Sequence, residues 1–580
     1  MNIKITQHLL VTLLCFYSII GMAADFIVTN TGDNGGVNPA VGAGTGTLRQ
    51  AIVDANATTD PDVIKFNISG TGPHVITPST NYEHITNPLT IDGTTQLGWV
   101  ANTAAFPNPF NGTIKIAINF ANTATNAQVF SNFSGLTIKG ICVYGATSTT
   151  SQPFFSIQNV NNVNIYGCYF GIEADGMTFS NTYCQGAITF QTSGDNINIG
   201  SDLPAERNLF AFAEVGSGTN EYCLYFFNAF SGTGFNNIKI RGNYFNMKKD
   251  GVTVTSTVAD NGIGFANIYA GNVWQIGGPN TEDGNLISGG KNGIVMSNNI
   301  VTSTTSVLIQ KNIVGTDYTG LVDKGNRNNG IEISSTGKVI ILDNLISGND
   351  VNGLQDFGGT GATAGDSITV LRNIVGLNIT ATDAIPNTGK GMYIYQCNKS
   401  IIGDGTLANK NIIASNGSDE IFLQTCSGVK INTNYFGTKI DGVTPLPSAG
   451  HGIVFYDVQN SKILNNIITA NGADGISVLL SSSLDNSFLT NSIYANAGLG
   501  IDLRNDDVTF NDATDGDAGP NYFLNFPKIN SALLGSLTVD YTLDVPAGDY
   551  KMEVFGNPAG TGDPTKHGEG KIYLGSFDIT

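Results

Sequence analysis

One short phrase recurs along this chain and limits what it can fold into: Asn, two mostly hydrophobic residues, then Gly or another small turn residue. Successive copies are separated by 23–42 residues, and Cys replaces Asn in the first. The copies begin at Cys168, Asn208, Asn243, Asn285, Asn312, Asn344, Asn373, Asn411, Asn434, Asn466 and Asn491. Internal similarity at a period of roughly 20–50 residues is typical of a solenoid. Most of the chain is therefore scaffold, and a functional site has to be sought where the repeat is broken.

Each repeat also holds a second phrase, in which Gly and an apolar residue open a stretch of alternating side chains, as at 262–265, 330–333 and 475–478. Alternation over so few residues predicts a short strand, and no apolar pattern of helix length lies between the two phrases. The predicted fold class is all-β, a parallel β-helix rather than an α-solenoid or a leucine-rich horseshoe. We expect the recurring Asn to stack from coil to coil, since its side chain bonds turn backbone and tolerates left-handed conformations.

Residues 1–24 have the pattern of a secretory signal peptide. Lys4 supplies the positive end, 8–20 form a short apolar stretch, and 21–24 are the small residues of a cleavage site. The alternative, a membrane anchor, is disfavoured because the apolar stretch is shorter than the roughly 20 residues that a span needs. No later segment is long and apolar enough either. We predict a protein that is secreted or displayed at the cell surface, with no membrane span.

The charge balance narrows the range of partners. The formal net charge is −19, and removing Lys4 with the signal peptide makes it 26 − 46 = −20. Such an acidic chain is a poor partner for nucleic acid or an anionic membrane. It is compatible with a soluble exported protein that binds calcium.

The chain divides into segments beyond the signal peptide. Residues 25–109 are predicted to form an N-terminal cap and first strands, including an amphipathic helix over 48–56 with Thr47 as its N-cap. The repeats occupy 110–507, and an Asp- and Pro-rich linker occupies 508–527. Residues 528–580 contain about four strands of an immunoglobulin-like β-sandwich, which needs about seven. We therefore expect a partial sandwich and a chain that is part of a longer protein.

Six cysteines follow the signal peptide, and their spacing has no metal-ligand pattern: Cys142, Cys168, Cys184, Cys223, Cys397 and Cys426. Export permits disulfides, whereas a free Cys packs as a small buried hydrophobe. The sequence leaves both alternatives open.

Three stretches carry a resemblance to a known family. They are Gly-Thr-Leu-Arg-Gln-Ala-Ile-Val-Asp-Ala-Asn at 46–56, Asn-Leu-Ile-Ser-Gly-Asn at 344–349, and the closing run from 500 to 575. The first resembles the CSLREA-type opening module of large bacterial exported surface proteins with right-handed parallel β-helix repeats, although Cys-Ser and Glu of that motif are replaced. The resemblance covers nearly the whole mature chain. It implies a right-handed β-helix at the cell surface and an adhesive role.

Enzymes on this fold mostly cleave acidic polysaccharides, so catalytic residues need to be considered. Gly-His-Gly around His451 resembles a motif of polygalacturonases, and the carboxylates Asp419 and Glu420 precede it by about one coil. However, His451 stands in a slot before Gly that holds Asn, Lys or Asp in other repeats, and the Asn-Thr-Asp and Arg-Ile-Lys motifs of that family are missing. We predict no catalytic site and keep these three residues as weak candidates. Arg241, Arg372 and Lys430, the cations that could serve a lyase, do not cluster with acidic residues.

Acidic loops are the other departure from the repeat. Asp175, Asp317 and Asp441 lie in the longer loops and could bind sugar hydroxyls or cations, or could cap turns. The densest acidic stretch offers hard oxygen ligands suited to calcium, or is a solvated loop. Its carboxylates are Asp502, Asp506, Asp507, Asp512, Asp515 and Asp517.

Three functions remain open from the sequence. The first is a non-catalytic surface protein that binds carbohydrate or adheres to a cell-surface ligand, with no cofactor apart from possible calcium. The second is a lyase or glycoside hydrolase acting on an acidic polysaccharide. The third is a structural stalk. Aromatic groups at 222–230 and 393–395 fit either sugar binding or stacking in the core.

Overall fold

The structure is a computed structural model of the 580-residue chain. It describes residues 23–121, 128–145, 153–179, 186–212, 222–228, 234–254, 261–266, 269–270, 274–301, 306–358, 367–533, 538–558, 567 and 569–580. Most of the predicted signal peptide, together with Cys184, lies outside these residues.

The chain winds through three parallel ladders of strands, and from Leu89 onward each coil visits ladder A, then ladder B, then ladder C. Ladder A comprises Asp25–Val28, Asp62–Phe66, Leu89–Asp92, Ser134–Lys139, Asn161–Tyr166, Gly194–Ile199, Phe235–Ile240, Trp274–Gly277, Ser306–Gln310, Lys338–Leu342, Ser367–Leu371, Ile401–Ile402, Lys430–Asn432, Lys462–Leu464 and Ser487–Leu489. Ladder B comprises His74–Ile76, Ile116–Asn119, Ile141–Tyr144, Tyr169–Phe170, Leu209–Phe210, Tyr244–Phe245, Leu286–Ile287, Ile313–Val314, Leu345–Ile346, Ile374–Val375, Ile412–Ile413, Tyr435–Phe436, Ile467–Thr469 and Ser492–Tyr494.

Ladder C comprises Gln128–Ser131, Phe155–Gln158, Ile188–Gln191, Tyr222–Phe227, Asn261–Ala266, Ile294–Val301, Ile331–Thr336, Leu354–Asp356, Met392–Tyr395, Ile421–Ser427, Ile453–Gln459, Ile476–Leu479 and Ile501–Leu503. The short strand Tyr269–Ala270 pairs with strands of both ladder A and ladder C. Short 3-10 turns lie at Asn34–Gly36, Gly93–Thr95, Pro204–Glu206, Thr281–Asp283, Leu407–Asn409 and Pro520–Phe523.

The core lies inside the coils because the strands alternate in burial. In Met392–Tyr395, for example, Met392 and Ile394 are buried while Tyr393 and Tyr395 are half-buried on the outer surface. The inward residues of all three ladders join one apolar cluster that runs the length of the solenoid. This arrangement matches the predicted alternation of short strands.

The recurring Asn forms the predicted ladder at the turn from ladder A to ladder B. From Asn208 to Asn491, each side-chain Nδ2 donates to the Oδ1 of the Asn in the next coil at 2.9–3.1 Å. The backbone N–H donates to the same oxygen, and Cys168 begins the row by donating its N–H to Asn208. The left-handed residue of these turns is often the one before the Asn, such as Asp343 or Thr433, rather than the Asn itself.

A second, shorter Asn ladder was not predicted. Asn326, Asn349, Asn387 and Asn416 are linked by Nδ2–Oδ1 bonds of 2.8–2.9 Å. In the next coil Ser448 stands where the ladder needs an Asn, and the row resumes with Asn471 and Asn496. The gap at Ser448 is the feature that positions one of the candidate residues described below.

The N-terminal end is covered as predicted. The helix Leu48–Asn56 packs its buried face on the strands Asp25–Val28 and Asp62–Phe66, and the Thr47 hydroxyl accepts the Gln50 N–H at 3.1 Å. Segment 25–109, assigned to a cap and first strands, thus contributes its strands to the same ladders as the repeats.

The C-terminal strands form two antiparallel pairs, Lys528–Leu533 with Thr538–Thr542 and Tyr550–Gly556 with Ile572–Ile579. The second pair meets the last coil, where Gly570 and Ile493 exchange backbone hydrogen bonds. The sequence predicted about four strands over 528–580, and the described residues of this segment contain four, the last of which runs without a break over Ile572–Ile579. The predicted parallel β-helix with a capping helix is therefore confirmed. The described C-terminal strands form two antiparallel pairs, which is part of a sandwich and not a complete one.

Candidate functional site

The outer surface of ladder C carries a row of aromatic rings, which we call the aromatic face: Phe357, Tyr393, Tyr395, Phe422 and Tyr456. These residues occupy outward positions because the inward ones hold the core residues. The ring centroids of Tyr393 and Phe422 are 5.6 Å apart, and those of Phe422 and Tyr456 are 6.2 Å apart. The Tyr393 hydroxyl donates to Gln424 at 2.7 Å. The face thus joins partly exposed rings to an amide group over four coils.

A polar row borders the aromatic face, one residue per coil, in the slot before Gly. It runs through Lys390, Asp419, His451 and Asp474. Lys390 Nζ lies 3.3 Å from Asp419 Oδ2 and 4.9 Å from the centroid of the Phe422 ring. The row places a cation, two carboxylates and an imidazole beside the rings, which suits hydrogen bonding to hydroxyl groups.

The candidates Asp419 and His451 are also engaged in holding neighbouring coils together. Asp419 Oδ1 accepts the His451 N–H at 3.0 Å, and His451 Nδ1 accepts the Asp474 N–H at 3.1 Å. Asp474 in turn accepts the Leu499 N–H at 2.7 Å. A hydrolase needs two carboxyl groups free to flank a scissile bond, whereas these side chains already satisfy backbone groups.

Glu420, the third candidate, is placed where other coils have Gly, and it is fully buried. Its Oε2 accepts the Asn416 Nδ2–H, and its Oε1 has no partner at full hydrogen-bond geometry among the described residues. The carboxyl group therefore takes the place of the missing Asn at Ser448 in the second Asn ladder. Burial raises the pKa of Glu420 to about 8, with the charge of Asp419 adding to the effect. A side chain enclosed in this way cannot contact a polysaccharide.

The carboxylates predicted to bind ligands in the longer loops do not form one site. Asp175 and Asp441 each accept two backbone N–H groups and a Thr hydroxyl of their own loop, at 2.6–2.9 Å. For Asp441 the Thr444 hydroxyl and the backbone bonds lower the carboxyl pKa. Asp317 is buried and accepts from Thr319, Leu321 and Val322. All three carboxylates cap turns, and ligand binding by them stays a prediction.

The six carboxylates of the predicted calcium stretch separate into two groups. Asp502 is buried and caps the turn at 505–507, and burial together with Asp474 raises its pKa to about 6. Asp506 pairs with Arg504 at 3.5 Å. Oxygens of Asp512, Asp515 and Asp517 lie within 4.8 Å of one another, close enough to hold one cation. Exposed acidic groups often converge without an ion, so calcium stays a prediction.

Several other sequence candidates have structural partners. Arg241 pairs with Asp283 at 3.0 Å, and Arg372 makes a two-point pair with Asp343 at 2.6 and 2.9 Å. Lys430 is exposed on ladder A. The five described cysteines are buried free thiols, and burial raises the pKa of Cys168 to about 12. These groups act in packing and surface pairing.

Sequence reasoning missed Arg207, the residue before the ladder Asn208. At most other coils this position is exposed or half-buried, but Arg207 is buried among the rings of Phe106, Phe110 and Tyr244. No periodic signal marks it, since two of the three rings, Phe106 and Phe110, come from a loop about 100 residues earlier.

The comparison with family models agrees with the fold. A family model described as a right-handed β-helix region matches residues 368–519. A mutant of the periplasmic alginate epimerase AlgG is 13% identical with a TM-score of 0.29, covering 70% of this chain and 66% of that one, just under two thirds of its length. The AlgE6 A-module, a mannuronan C-5 epimerase module of Azotobacter vinelandii, is 12% identical with a TM-score of 0.35, covering 80% of this chain and 98% of that one. PfbA, a surface adhesin of Streptococcus pneumoniae, is 13% identical with a TM-score of 0.31, covering 90% of this chain and 100% of that one.

No curated protein matches the chain by sequence. Among the described residues, every helix is too short or too polar to cross a membrane.

Proposed function

We propose that this chain is an exported, non-catalytic protein that binds a polysaccharide at a cell surface through the aromatic face of ladder C. The observation that carries the proposal is the run of partly exposed rings at Tyr393, Phe422 and Tyr456, one per coil, beside the polar row. Strands of a sheet lie about 4.8 Å apart, so the three rings cover roughly 10 Å along the solenoid. A row of rings in successive coils fits an extended chain of sugars better than a small ligand.

The chemistry of the face supports a carbohydrate. Aromatic rings combine a large apolar surface with little loss of side-chain freedom, and they stack on the apolar faces of sugar rings. Gln424, Lys390 and Asp419 supply acceptors and donors for hydroxyl groups at the edge of the rings. The engagement of Asp419 and His451 in bonds between coils, and the burial of Glu420, favour binding without catalysis.

The test is binding of the purified chain to a glycan array, followed by affinity measurement for the best ligand. Replacement of Tyr393 or Phe422 by Ala should weaken binding about 2- to 10-fold for each ring, the size of one aromatic contact. Tyr435→Ala is the matched control, because Tyr435 is a half-buried ring on ladder B. Equal affinity in all variants would exclude the aromatic face, and no glycan bound would favour a structural stalk.

Enzymatic action is tested by incubation with polyuronides, with absorbance reporting unsaturated products of a lyase and reducing ends reporting hydrolysis. We expect no turnover. Turnover that is lost in Asp419→Ala or His451→Ala would replace the binding proposal by a polysaccharide lyase or glycoside hydrolase.

A further inference from the structure

Two arginines of this chain are almost completely buried, and they differ in how their charge is balanced. Arg49, under the N-terminal helix, is 1% exposed and pairs with both carboxylate oxygens of Asp33 at 2.9 and 3.1 Å. It also donates to the carbonyl oxygens of Thr80 and Asn81 at 2.8 Å. A buried guanidinium with a carboxylate and a full set of acceptors is the usual arrangement.

Arg207 is equally buried, at 1% exposure, but has no carboxylate partner among the described residues. Nε donates to the Gly242 carbonyl at 2.9 Å, and Nη1 donates to the carbonyls of Ala104 and Asn108 at 2.6 and 2.9 Å. Nη2 is buried and has no acceptor at full hydrogen-bond geometry among the described residues, although a side-chain hydrogen bond with the Tyr244 hydroxyl also acts on the guanidinium and favours its charged form. Burial lowers the pKa of Arg207, but an arginine stays protonated at neutral pH. The charge is therefore balanced by aromatic faces and neutral carbonyl oxygens in place of a carboxylate. Such an arrangement raises the free energy of a buried ion.

A small cavity lies beside this guanidinium. Its lining includes Arg207, Trp99, Tyr169 and Phe110, and its volume is about 10 Å³, counted as the positions that the centre of a water molecule can occupy. That volume suits one small occupant. No carboxylate lines the cavity. The cavity is thus bordered by a cation and by no described anionic group, which favours an anion as its occupant.

We propose that this cavity binds one small monovalent inorganic anion of the size of chloride, held by the Arg207 guanidinium. A water molecule could accept a hydrogen bond from Nη2, but it would leave the buried charge uncompensated. The anion supplies Arg207 with the negative charge that Asp33 supplies to Arg49. This site is separate from the aromatic face, and it stands whether or not the chain binds polysaccharide.

The position of the site indicates what the anion does. Arg207 bonds to Ala104 and Asn108 of the loop that packs over ladder B, and Phe110 of the same loop bonds through its N–H to the Lys249 carbonyl at 2.9 Å. An anion that balances the charge of Arg207 therefore stabilises the contacts between this loop and coils that are about 100 residues later in the sequence. We expect anion binding to stabilise the junction between the N-terminal segment and the solenoid.

The test compares the thermal stability of the full chain in sodium chloride and in sodium gluconate at equal ionic strength. Chloride should raise the Tm of the wild-type chain progressively with concentration, because a ligand that binds only the folded state stabilises it by mass action. In Arg207→Met the difference between the two salts should disappear, whereas it should persist in the control Arg504→Met, which removes an exposed arginine. Equal Tm values in the two salts for the wild type, or a difference that survives in Arg207→Met, would overturn the proposal.

Crystals grown or soaked in bromide give a second measurement that needs no variant and so decides the matter if Arg207→Met does not fold. An anomalous bromide peak within about 3.5 Å of Arg207 Nη2, the contact distance of an anion with an N–H donor, supports the site. Density for water alone in the cavity, with bromide bound elsewhere on the surface, refutes it.

Discussion

Replacement of Glu420 by Gln should make the stability of the solenoid less dependent on pH. The carboxyl pKa is about 8 in the folded chain and about 4.5 when exposed, so the folded state holds a proton that the unfolded state has lost. The stabilisation is fully present below pH 4.5 and is lost as pH rises through 8. At 1.36 kcal/mol per pH unit, the difference of pKa corresponds to about 5 kcal/mol at its upper limit. Gln cannot ionise, yet its amide oxygen can still accept from Asn416.

The assay is calorimetric unfolding of the wild type and Glu420→Gln between pH 5 and 9. Asp502, whose pKa burial raises to about 6, contributes in the same direction between pH 4 and 6. Because this contribution is present in both proteins, it cancels in their difference. The wild type should lose stability relative to the variant by several kcal/mol from pH 5 to 8. Parallel pH profiles would refute the view that Glu420 is buried in its protonated form.

A repair of the ladder provides the stronger test of why Glu420 is there. Glu420→Gly combined with Ser448→Asn restores the Gly and the Asn that other coils carry, and should give a chain that is at least as stable as the wild type at pH 8. Ser448→Asn alone should destabilise, because the Glu420 carboxyl already fills the site of the added amide. Additive effects of the two substitutions would contradict this account, since groups that occupy one site are coupled.

Three further predictions concern the remaining features. Asn373→Leu, in the middle of the main ladder, removes the buried hydrogen bonds that Asn373 makes with Asn344 and with the Ile341 carbonyl. It should lower the free energy of unfolding by about 3–5 kcal/mol, measured by hydrogen exchange in that coil. The control Lys462→Leu, at an exposed strand position, should have little effect. Thr47→Ala removes the helix cap and should cost about 1 kcal/mol, with Thr47→Ser close to the wild type in thermal unfolding. If calcium binds at Asp512, Asp515 and Asp517, it should raise the Tm of the wild type and not that of Asp515→Asn; an unchanged wild-type Tm would eliminate this site.

The repeat explains why so much of the fold could be predicted. The Asn ladder follows from one residue type recurring at one coil position, and the core follows from alternation within short strands, so neither requires knowledge of distant contacts. The N-terminal helix was predictable for the same local reasons, namely its apolar face and the Thr47 cap. The continuous final strand Ile572–Ile579 was not, because no residue at 575–576 signals whether a strand ends there.

Residues that act through pairs of coils were beyond sequence reasoning. Glu420 looked like a catalytic carboxylate because the Gly that it replaces and the Asn missing at Ser448 lie 28 residues apart and become neighbours only when the coils stack. Arg207 had no signal at all, since two of the three rings around it come from a loop about 100 residues earlier. Titratable groups in a solenoid therefore have to be judged against the same position in the coils above and below, not against their neighbours in sequence.

The division of labour between inward and outward positions explains how such a chain can acquire a binding surface. The inward residues and the Asn ladders supply the stability, and each coil contacts mainly the coils beside it. Outward positions on ladder C are therefore free to change without loss of the fold, which is how Tyr393, Phe422 and Tyr456 can follow one another in successive coils. The polar row is less free, because Asp419, His451 and Asp474 also accept backbone N–H groups from the next coil. For this reason we expect affinity to change most through the rings, while changes at Asp419 or Asp474 alter stability as well.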